Sequence, residues 1–572
     1  MKNAVAGRWL HFTRPRRIVT ACCLEDVVPA IQTLEKAVND DGLHAAGFIS
    51  YEAAPAFDPA LKTRVDAEFP LCWFGLFEGP EETGELPAGD DAGLWSAIWQ
   101  PTISEDDYRH HLEAIRDFIR QGDTYQVNYT YRLRGQVCSD PWKIFLGMAA
   151  AQYAPYSAFV DTGEWAVCSA SPELFLKWDG QSLESRPMKG TAARGLWSDD
   201  DRRKAAGLRV SRKNRAENVM IVDMVRNDLG RVAEIGSVTA PSLFAVEQYP
   251  SVWQMTSTVQ ARTTASLSQI LQATFPPASI TGAPKSRTME IIADLETTPR
   301  RVYTGAVGYL SPGCRAQFNV AIRTLLIHRK NGEAEYGVGG GIVWDSKWAS
   351  ERQECRIKAK VLSMRRPDFD LLETLRWAPE SGCDLLRYHL KRLAESAAYF
   401  QYTLDTSLVR LELDQLASRL PPAPHRVRLL ASRKGAVRVE ATPLPPGPSS
   451  FPDITLAQSP VDSSDVFLYH KTTHRDSYLE ALKTRPGCSD ALLFNQAGEI
   501  TETTIANVVV ELDGQLFTPP IRCGLLPGTF RSFLLDQNKI RERVVTKEEI
   551  LQSPNIFLIN SVRGMHRVGL VR

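Results

Sequence analysis

Apolar positions recur along the chain with two periods, and the switch between them marks out the elements. Ser104, with Asp107 three residues on, reads as a capping box opening a helix, and the stripe Tyr108, Leu112, Ile115 and Ile119 continues until Gly122 ends it. The next run, T-Y-Q-V-N-Y-T-Y-R-L, changes to period two. Tyr125, Val127, Tyr129, Tyr131 and Leu133 alternate with Gln126, Asn128, Thr130 and Arg132, which predicts a half-buried strand. Asp179-Gly180 and Asn331-Gly332 lie between β-rich runs and predict hairpins. Ser211 to Val232 predicts a helix with Asn214 and Glu217 on one face and Ile221, Met224 and Val225 as its apolar stripe. A later helix around Ser350 to Val361 places Glu351, Glu354 and Lys358 together, and one over residues 388–400 aligns Leu390, Leu393 and Ala397.

Helical and strand patterns alternate without a repeat of 20 to 50 residues, which excludes solenoids and propellers. The clearest boundary lies at Arg365 to Asp370, punctuated by Pro367, and divides the chain into domains at 1–365 and 370–572. Pro-rich breaks at 420–424 and 443–448 predict that the second domain has two lobes. The first domain reads as α+β with a large, mostly antiparallel sheet.

Composition narrows the function classes. The 67 Lys plus Arg balance 67 Asp plus Glu, so the clustered basic excess expected of a nucleic-acid binder is missing. No apolar run approaches the roughly 18 residues that would suggest a membrane span. The ten cysteines are scattered with no C-x-x-C, which predicts neither a disulfide framework nor a zinc ribbon and makes a reducing cytoplasm the simplest compartment.

Facing helices bearing Glu217, Glu351 and Glu354 would suit Mg2+, a hard ion that takes oxygen ligands and keeps several waters. Taken alone, the same spacing also fits a solvated helix face. T-G-A-P-K-S (281–286) is not a phosphate-binding loop of the Walker type, because the second Gly and the G-K-[ST] ending are missing.

The joint pattern carries more. G-F-I-S-Y-E-A-A-P-A-F-D (47–58), S-P-E-L-F (171–175), R-P-M-K-G-T (186–191), K-N-R-A-E-N-V-M-I-V-D-M-V-R-N-D-L-G-R (213–231), F-P-P-A-S-I-T-G-A-P-K-S-R-T-M-E (275–290), F-N-V-A-I-R-T-L (318–325) and G-G-G-I-V-W-D-S (339–346) resemble, in order and spacing, the chorismate-utilising enzymes. Within that family the likeness is to the aminodeoxychorismate synthases. The resemblance implies that Glu217 and Glu354 coordinate Mg2+, with Glu351 reaching it through water. It assigns Arg323 and Tyr303 to a substrate carboxylate, the Thr281-Gly282 backbone to a ligand carboxylate, and Lys358 to positive charge beside the metal ligands.

Lys189 is the residue on which the activity turns. Anthranilate synthases of this superfamily carry Ala in the corresponding block, whereas aminodeoxychorismate synthases carry Lys and deliver nitrogen to C4 rather than C2. The resemblance makes Lys189 the nucleophile and Glu173 the general acid for the departing hydroxyl, which requires a depressed amine pKa and a raised carboxyl pKa. Where isochorismate and salicylate synthases hold a water-activating Lys, this chain has Gln126, a neutral amide that cannot be that base. R-P-M-K-G-T-A-A-R departs from the family's usual P-I-K-G-T-R-P-R at Met188 and at Ala192-Ala193. No block resembles a glutamine amidotransferase, so a separate glutaminase partner, or free ammonia, is implied as the nitrogen source.

The second part contains Y-H-L-K-R-L-A-E-S-A-A-Y-F (388–400), Y-H-K-T-T-H-R-D-S-Y (469–478), D-A-L-L-F-N-Q-A-G-E-I-T-E-T-T-I-A-N-V-V (490–509), C-G-L-L-P-G-T-F-R (523–531) and F-L-I-N-S-V-R-G (557–564), and resembles the fold-type IV pyridoxal phosphate enzymes. That chemistry needs a Schiff-base lysine, an acid for the pyridine nitrogen and donors for the phosphate. The resemblance assigns Lys471 to the first, Glu502 to the second, and Arg392, Gly528-Thr529 and Ser561 to the third. Arg563 and Arg475 are candidates for substrate carboxylates. Type IV relatives usually dimerise, which by analogy implies a homodimer through this domain. Together the halves imply conversion of chorismate and ammonia to 4-amino-4-deoxychorismate, followed by elimination of pyruvate to give 4-aminobenzoate. The alternatives are an anthranilate-type synthase joined to an aminotransferase, or to a non-catalytic dimerisation module.

Overall fold

The computed structural model describes residues 1–86, 98–363, 367–445, 453–483 and 490–571. The chain divides into two compact units, Met1–Arg194 with Lys204–Arg366, and Gly195–Arg203 with Pro367–Arg572. Of the boundary segment, 365 and 366 lie outside the described residues.

The first unit is built on two antiparallel sheets. The larger runs through Met188–Ala193, Val252–Arg262, Ser182–Arg186, Leu174–Asp179, Arg315–Val320, Ala306–Ser311, His44–Ile49, Cys72–Phe77 and Arg17–Ala21. The second contains Gln126–Gln136, Glu333–Ile342, Thr324–His328, Trp165–Ser169 and Ala158–Asp161. Both predicted hairpins are present: Leu174–Asp179 pairs with Ser182–Arg186, and Thr324–His328 pairs with Glu333–Ile342. This mixed helix-and-sheet architecture is the α+β class expected.

Two local expectations need correcting. Ser104 caps the helix Glu105–Gln121 by accepting from the Asp107 amide, but the return half of the capping box is absent. The Asp107 carboxylate takes the Ser104 hydroxyl at 2.6 Å, being one carbon shorter than the Glu that reaches a cap amide. The strand Gln126–Gln136 is buried on both faces from Gln126 to Arg132, not on one. Its apolar face enters the core with Tyr108, Leu112 and Ile115, while its polar face is held by charged partners. There, Glu296 accepts from the Thr130 amide at 2.9 Å, from Arg300 Nη2 at 2.6 Å and from Arg132 Nη2 at 3.4 Å.

In the second unit, Gly382–Cys383, Leu371–Ala378, His425–Ala431 and Val437–Pro443 form an antiparallel sheet. Helices Leu386–Phe400 and Thr406–Ala417 pack on it through Leu393, Ala397, Val409 and Leu413. A second, mixed sheet is organised around Ala491–Phe494, Ile500–Thr503 and Asn507–Leu512. The break at 420–424 is not a lobe boundary: it links helix Thr406–Ala417 to strand His425–Ala431 within one lobe. Of the break at 443–448, residues 446–448 lie outside the described residues.

Candidate active sites

In the first unit, a cavity of about 370 Å3 gathers side chains from widely separated segments, among them Glu173, Lys189, Glu217, Tyr303, Arg323, Glu351, Glu354 and Lys358. Lys189 lies where the strand Met188–Ala193 shifts register against Val252–Arg262, a bulge that redirects a side chain, and Gly190 supplies the positive φ of 98° there. Glu217 is on helix Arg212–Gly230; Glu351, Glu354 and Lys358 share one face of Trp348–Ala359. Arg323 turns the corner between Arg315–Val320 and Thr324–His328 with φ of 51°, a left-handed value that costs a non-glycine residue energy and recurs at functional sites. Its Nη1 donates to the carbonyl of Lys358 at 3.3 Å.

Burial and neighbouring charge set the protonation of these groups. Burial is the main cause pushing the Glu173 carboxyl up to about 7, against the pull of Ser279, Lys189 and the Met188 amide. Burial lowers the Lys189 amine below its usual value, assisted by Lys358 and opposed by Glu217, Glu354 and Glu173. Lys358 Nζ pairs with Glu354 at 2.8 Å and donates to the Gly339 carbonyl at 2.7 Å, and its charge holds Glu354 below the usual carboxylate range. Burial raises Glu351, with Glu354 adding to the effect.

The wall opposite is the glycine run of strand Glu333–Ile342. A Cβ on Gly337 would overlap the Tyr303 ring at 2.2 Å, and one on Gly341 would stand 2.5 Å from Lys189 Nζ and 2.9 Å from the Gln126 amide. Among the described residues neither atom of that amide has a hydrogen-bond partner, although Gln126 is fully buried.

Thr281 and Gly282 do not line this cavity. The Thr281 amide donates to the Ala278 carbonyl at 3.4 Å in a turn, its carbonyl accepts from the Asn128 amide at 2.7 Å, and Gly282 stands opposite Val127 in a short antiparallel pairing. The three carboxylates expected to hold Mg2+ face the cavity, but among the described residues no three acidic, His or Cys side chains converge as a ligand group. Their all-oxygen chemistry still fits an ion that needs only one or two carboxylates and fills its remaining positions with water. Asn128, Lys213 and Ser346 also line the cavity and escaped sequence reasoning, as did the buried Arg132–Glu296–Arg300 cluster.

In the second unit, a cavity of about 280 Å3 is lined by Arg392, Lys471, Glu502, Gly528, Thr529, Ser561, Arg475 and Arg563, among others. Burial is the main cause lowering the Lys471 amine to about 8, with Arg392 adding to it. Glu502 accepts from Tyr478 OH at 2.7 Å, the Leu526 amide at 2.9 Å and Asn507 Nδ2 at 3.0 Å, and burial lifts its carboxyl to about 7. Gly528 caps helix Thr529–Asp536. Ser561 Oγ donates to the Thr374 carbonyl at 3.1 Å, and Arg475 Nη2 donates to that of Thr504. An amine easily deprotonated, a well-bound carboxyl and a cationic end therefore line one cavity, the donor set that pyridoxal phosphate requires. Glu373 and His389, both behind Arg392, were not foreseen; the H-x-x-R spacing at 389–392 was the signal available.

Comparison with known proteins gives the family. Residues 13–364 match the family described as chorismate binding enzyme, and the chain belongs to it. Residues 370–571 match the class IV amino-transferases, a domain type that implies pyridoxal phosphate. Aminodeoxychorismate synthase component 1 of Escherichia coli (strain K12) is 42% identical over 258 residues, 45% of this chain and 56% of that protein. Its Bacillus subtilis (strain 168) namesake is 37% identical over 286 residues, 50% and 60% of the respective chains. The chain thus spans little more than half the length of these relatives. The crystal structure of anthranilate synthase component I from Streptococcus pneumoniae TIGR4 superimposes with a TM-score of 0.55 at 25% identity, over 62% of this chain and 92% of that one. Among the described residues, no helix is long and apolar enough to cross a membrane.

Proposed function

We propose that the chain makes 4-aminobenzoate in two steps, aminating chorismate at C4 in the first unit and eliminating pyruvate from the product in the second. The observation that carries this reading is Lys189, an amine of lowered pKa beside the protonatable Glu173 in a cavity that also holds Arg323. Lys189 Nζ attacks C2 while the C4 hydroxyl leaves as water, protonated by Glu173. Ammonia then adds at C4, and the C2–N bond to Lys189 breaks to restore the amine. Arg323, helped by Tyr303, pairs with the enolpyruvyl carboxylate. Glu217, Glu351 and Glu354 would hold Mg2+, which supplies positive charge to the ring carboxylate. Ammonia comes from a glutamine amidotransferase partner or from solution.

In the second unit, pyridoxal phosphate supplies an electron sink when bound. Lys471 would anchor it and move the proton at the amino-bearing carbon, Glu502 would hold the pyridine nitrogen, and Arg392, Thr529 and Ser561 would hold the phosphate. Loss of pyruvate aromatises the ring, which drives the step.

The test is product identification after incubating the chain with chorismate, ammonium, Mg2+ and pyridoxal phosphate. Equal yields of 4-aminobenzoate and pyruvate are expected. Anthranilate as the product would overturn the assignment of Lys189, and accumulated aminodeoxychorismate would overturn the lyase step.

A further inference from the structure

Arg392, the arginine given to the cofactor phosphate, is already engaged. Its Nε donates to Glu373 Oε1 at 2.8 Å, its Nη2 to Glu373 Oε2 at 2.6 Å, and its Nη1 to the Pro527 carbonyl at 3.2 Å. Glu373 is 2% exposed; burial opposes its charge, but Arg392 and His389 hold its carboxyl down at about 2. The pair is therefore charged and internally neutral. His389, 1% exposed, lies 2.7 Å from Glu373 through Nδ1 and 3.3 Å from Thr529 Oγ1 through Nε2. Burial, the largest influence, lowers the imidazole pKa; Arg392 and Lys471 act in the same direction and Glu373 against them. In its neutral form Nδ1–H donates to Glu373, and Nε2 accepts the Thr529 hydroxyl proton.

A phosphate carries close to two negative charges near neutral pH. Entering beside Arg392, it meets a cluster whose one arginine is already neutralised, and a buried anion without counter-charge is strongly disfavoured. Lys471, which would anchor the cofactor, Arg475, which donates to the Thr504 carbonyl, and Arg426, His470, His474 and Arg563 also line the cavity, but His389 is the titratable group hydrogen-bonded both to the counter-ion of Arg392 and to Thr529.

We propose that His389 is the switchable charge of this phosphate site: binding the phosphate draws one proton from solvent onto Nε2, with Glu373 positioning both His389 and Arg392. Protonation reverses one hydrogen bond. Nε2–H then donates to Thr529 Oγ1, and the Thr529 hydroxyl, released from His389, donates to the phosphate. This inference rests on the reading that the cavity binds pyridoxal phosphate.

The experiment titrates the cofactor-free full-length chain with pyridoxamine 5′-phosphate, which has no aldehyde and so leaves the covalent role of Lys471 out. Calorimetry in buffers of different ionisation enthalpy counts the protons exchanged, and affinity is followed between about pH 6 and 9. Wild type should take up about one proton more than His389→Asn, and its affinity should fall relative to that variant by up to roughly tenfold per pH unit. Glu373→Gln leaves Arg392 un-neutralised, so its extra uptake should vanish while its affinity at high pH equals or exceeds that of wild type. A brace without titration would weaken binding by the same factor at every pH. Equal proton exchange in wild type and His389→Asn would overturn the proposal alone; failure of wild type to bind at any pH would overturn the cofactor reading with it.

Discussion

A single methyl group at Gly341 tests the geometry of the first site. Gly341 lies on the strand Glu333–Ile342 outside the left-handed region, so alanine is compatible with its backbone. Its Cβ, however, would stand 2.5 Å from Lys189 Nζ and 2.9 Å from the Gln126 amide, where ordinary contact begins at 3.4 Å. The amine is the tip of a flexible side chain and gives way first, by about 1 Å, and a misplacement of that size at a reacting centre costs on the order of 10²-fold in rate. That corresponds to about 2.7 kcal/mol of transition-state stabilisation. Gly340→Ala is the internal control, because its Cβ would meet only Glu351 Oε2 at 3.3 Å and Lys358 Nζ at 3.8 Å. The assay is the initial rate of C4-aminated product with saturating chorismate and ammonium, alongside thermal melting. We expect Gly341→Ala to lose roughly two orders of magnitude in kcat with little change in melting, and Gly340→Ala to stay within about threefold of wild type. Wild-type kcat in Gly341→Ala, or equal losses in both variants, would refute the placement of the nucleophile.

Lys189→Ala should abolish the C4-amino product and form a C2-amino product slowly; wild-type yields of 4-aminobenzoate by chromatography would remove the nucleophile role. Synthesis should cease in excess chelator and return with Mg2+, and unimpaired turnover in chelator would strike Glu217 and Glu354 from the metal site. Lys471→Ala should lose the near-ultraviolet or visible band of the bound cofactor together with pyruvate release, and persistence of that band would defeat the anchoring role. Burial pushes Glu52 up to about 7, and among the described residues its Oε2 has no partner, so its contribution to stability is complete below the unfolded carboxyl's pKa and is lost as pH rises through about 7. The shift is worth at most roughly 3.4 kcal/mol, so the melting temperature of wild type should fall more between about pH 5 and 8 than that of Glu52→Gln. Parallel curves would contradict the assignment.

Local order was legible in the chain because its causes are local. Periods of 3.6 and 2 placed helix Glu105–Gln121 and strand Gln126–Gln136, and Asp-Gly and Asn-Gly placed two hairpins, since side-chain direction and turn conformation depend on near neighbours. The ordered blocks then supplied roles for Lys189, Glu173, Lys471 and Glu502, but roles carry no geometry.

Tertiary structure alone decided which of those residues meet. Glu173, Lys189, Glu217, Arg323 and Glu354 span some 180 positions and reach one cavity, whereas Thr281 and Gly282, placed in the same motif logic, are not among its lining residues. No periodicity announces that the polar face of Gln126–Arg132 is buried, because what permits it is the distant Glu296 and Arg300. The same holds for Arg392, whose sequence context resembles that of a phosphate ligand and whose fold adds Glu373, nineteen residues upstream, as a counter-charge. Burial and pairing are properties of what surrounds a group in space, and they set its charge; the order of residues determines the group, and the packed chain determines its state.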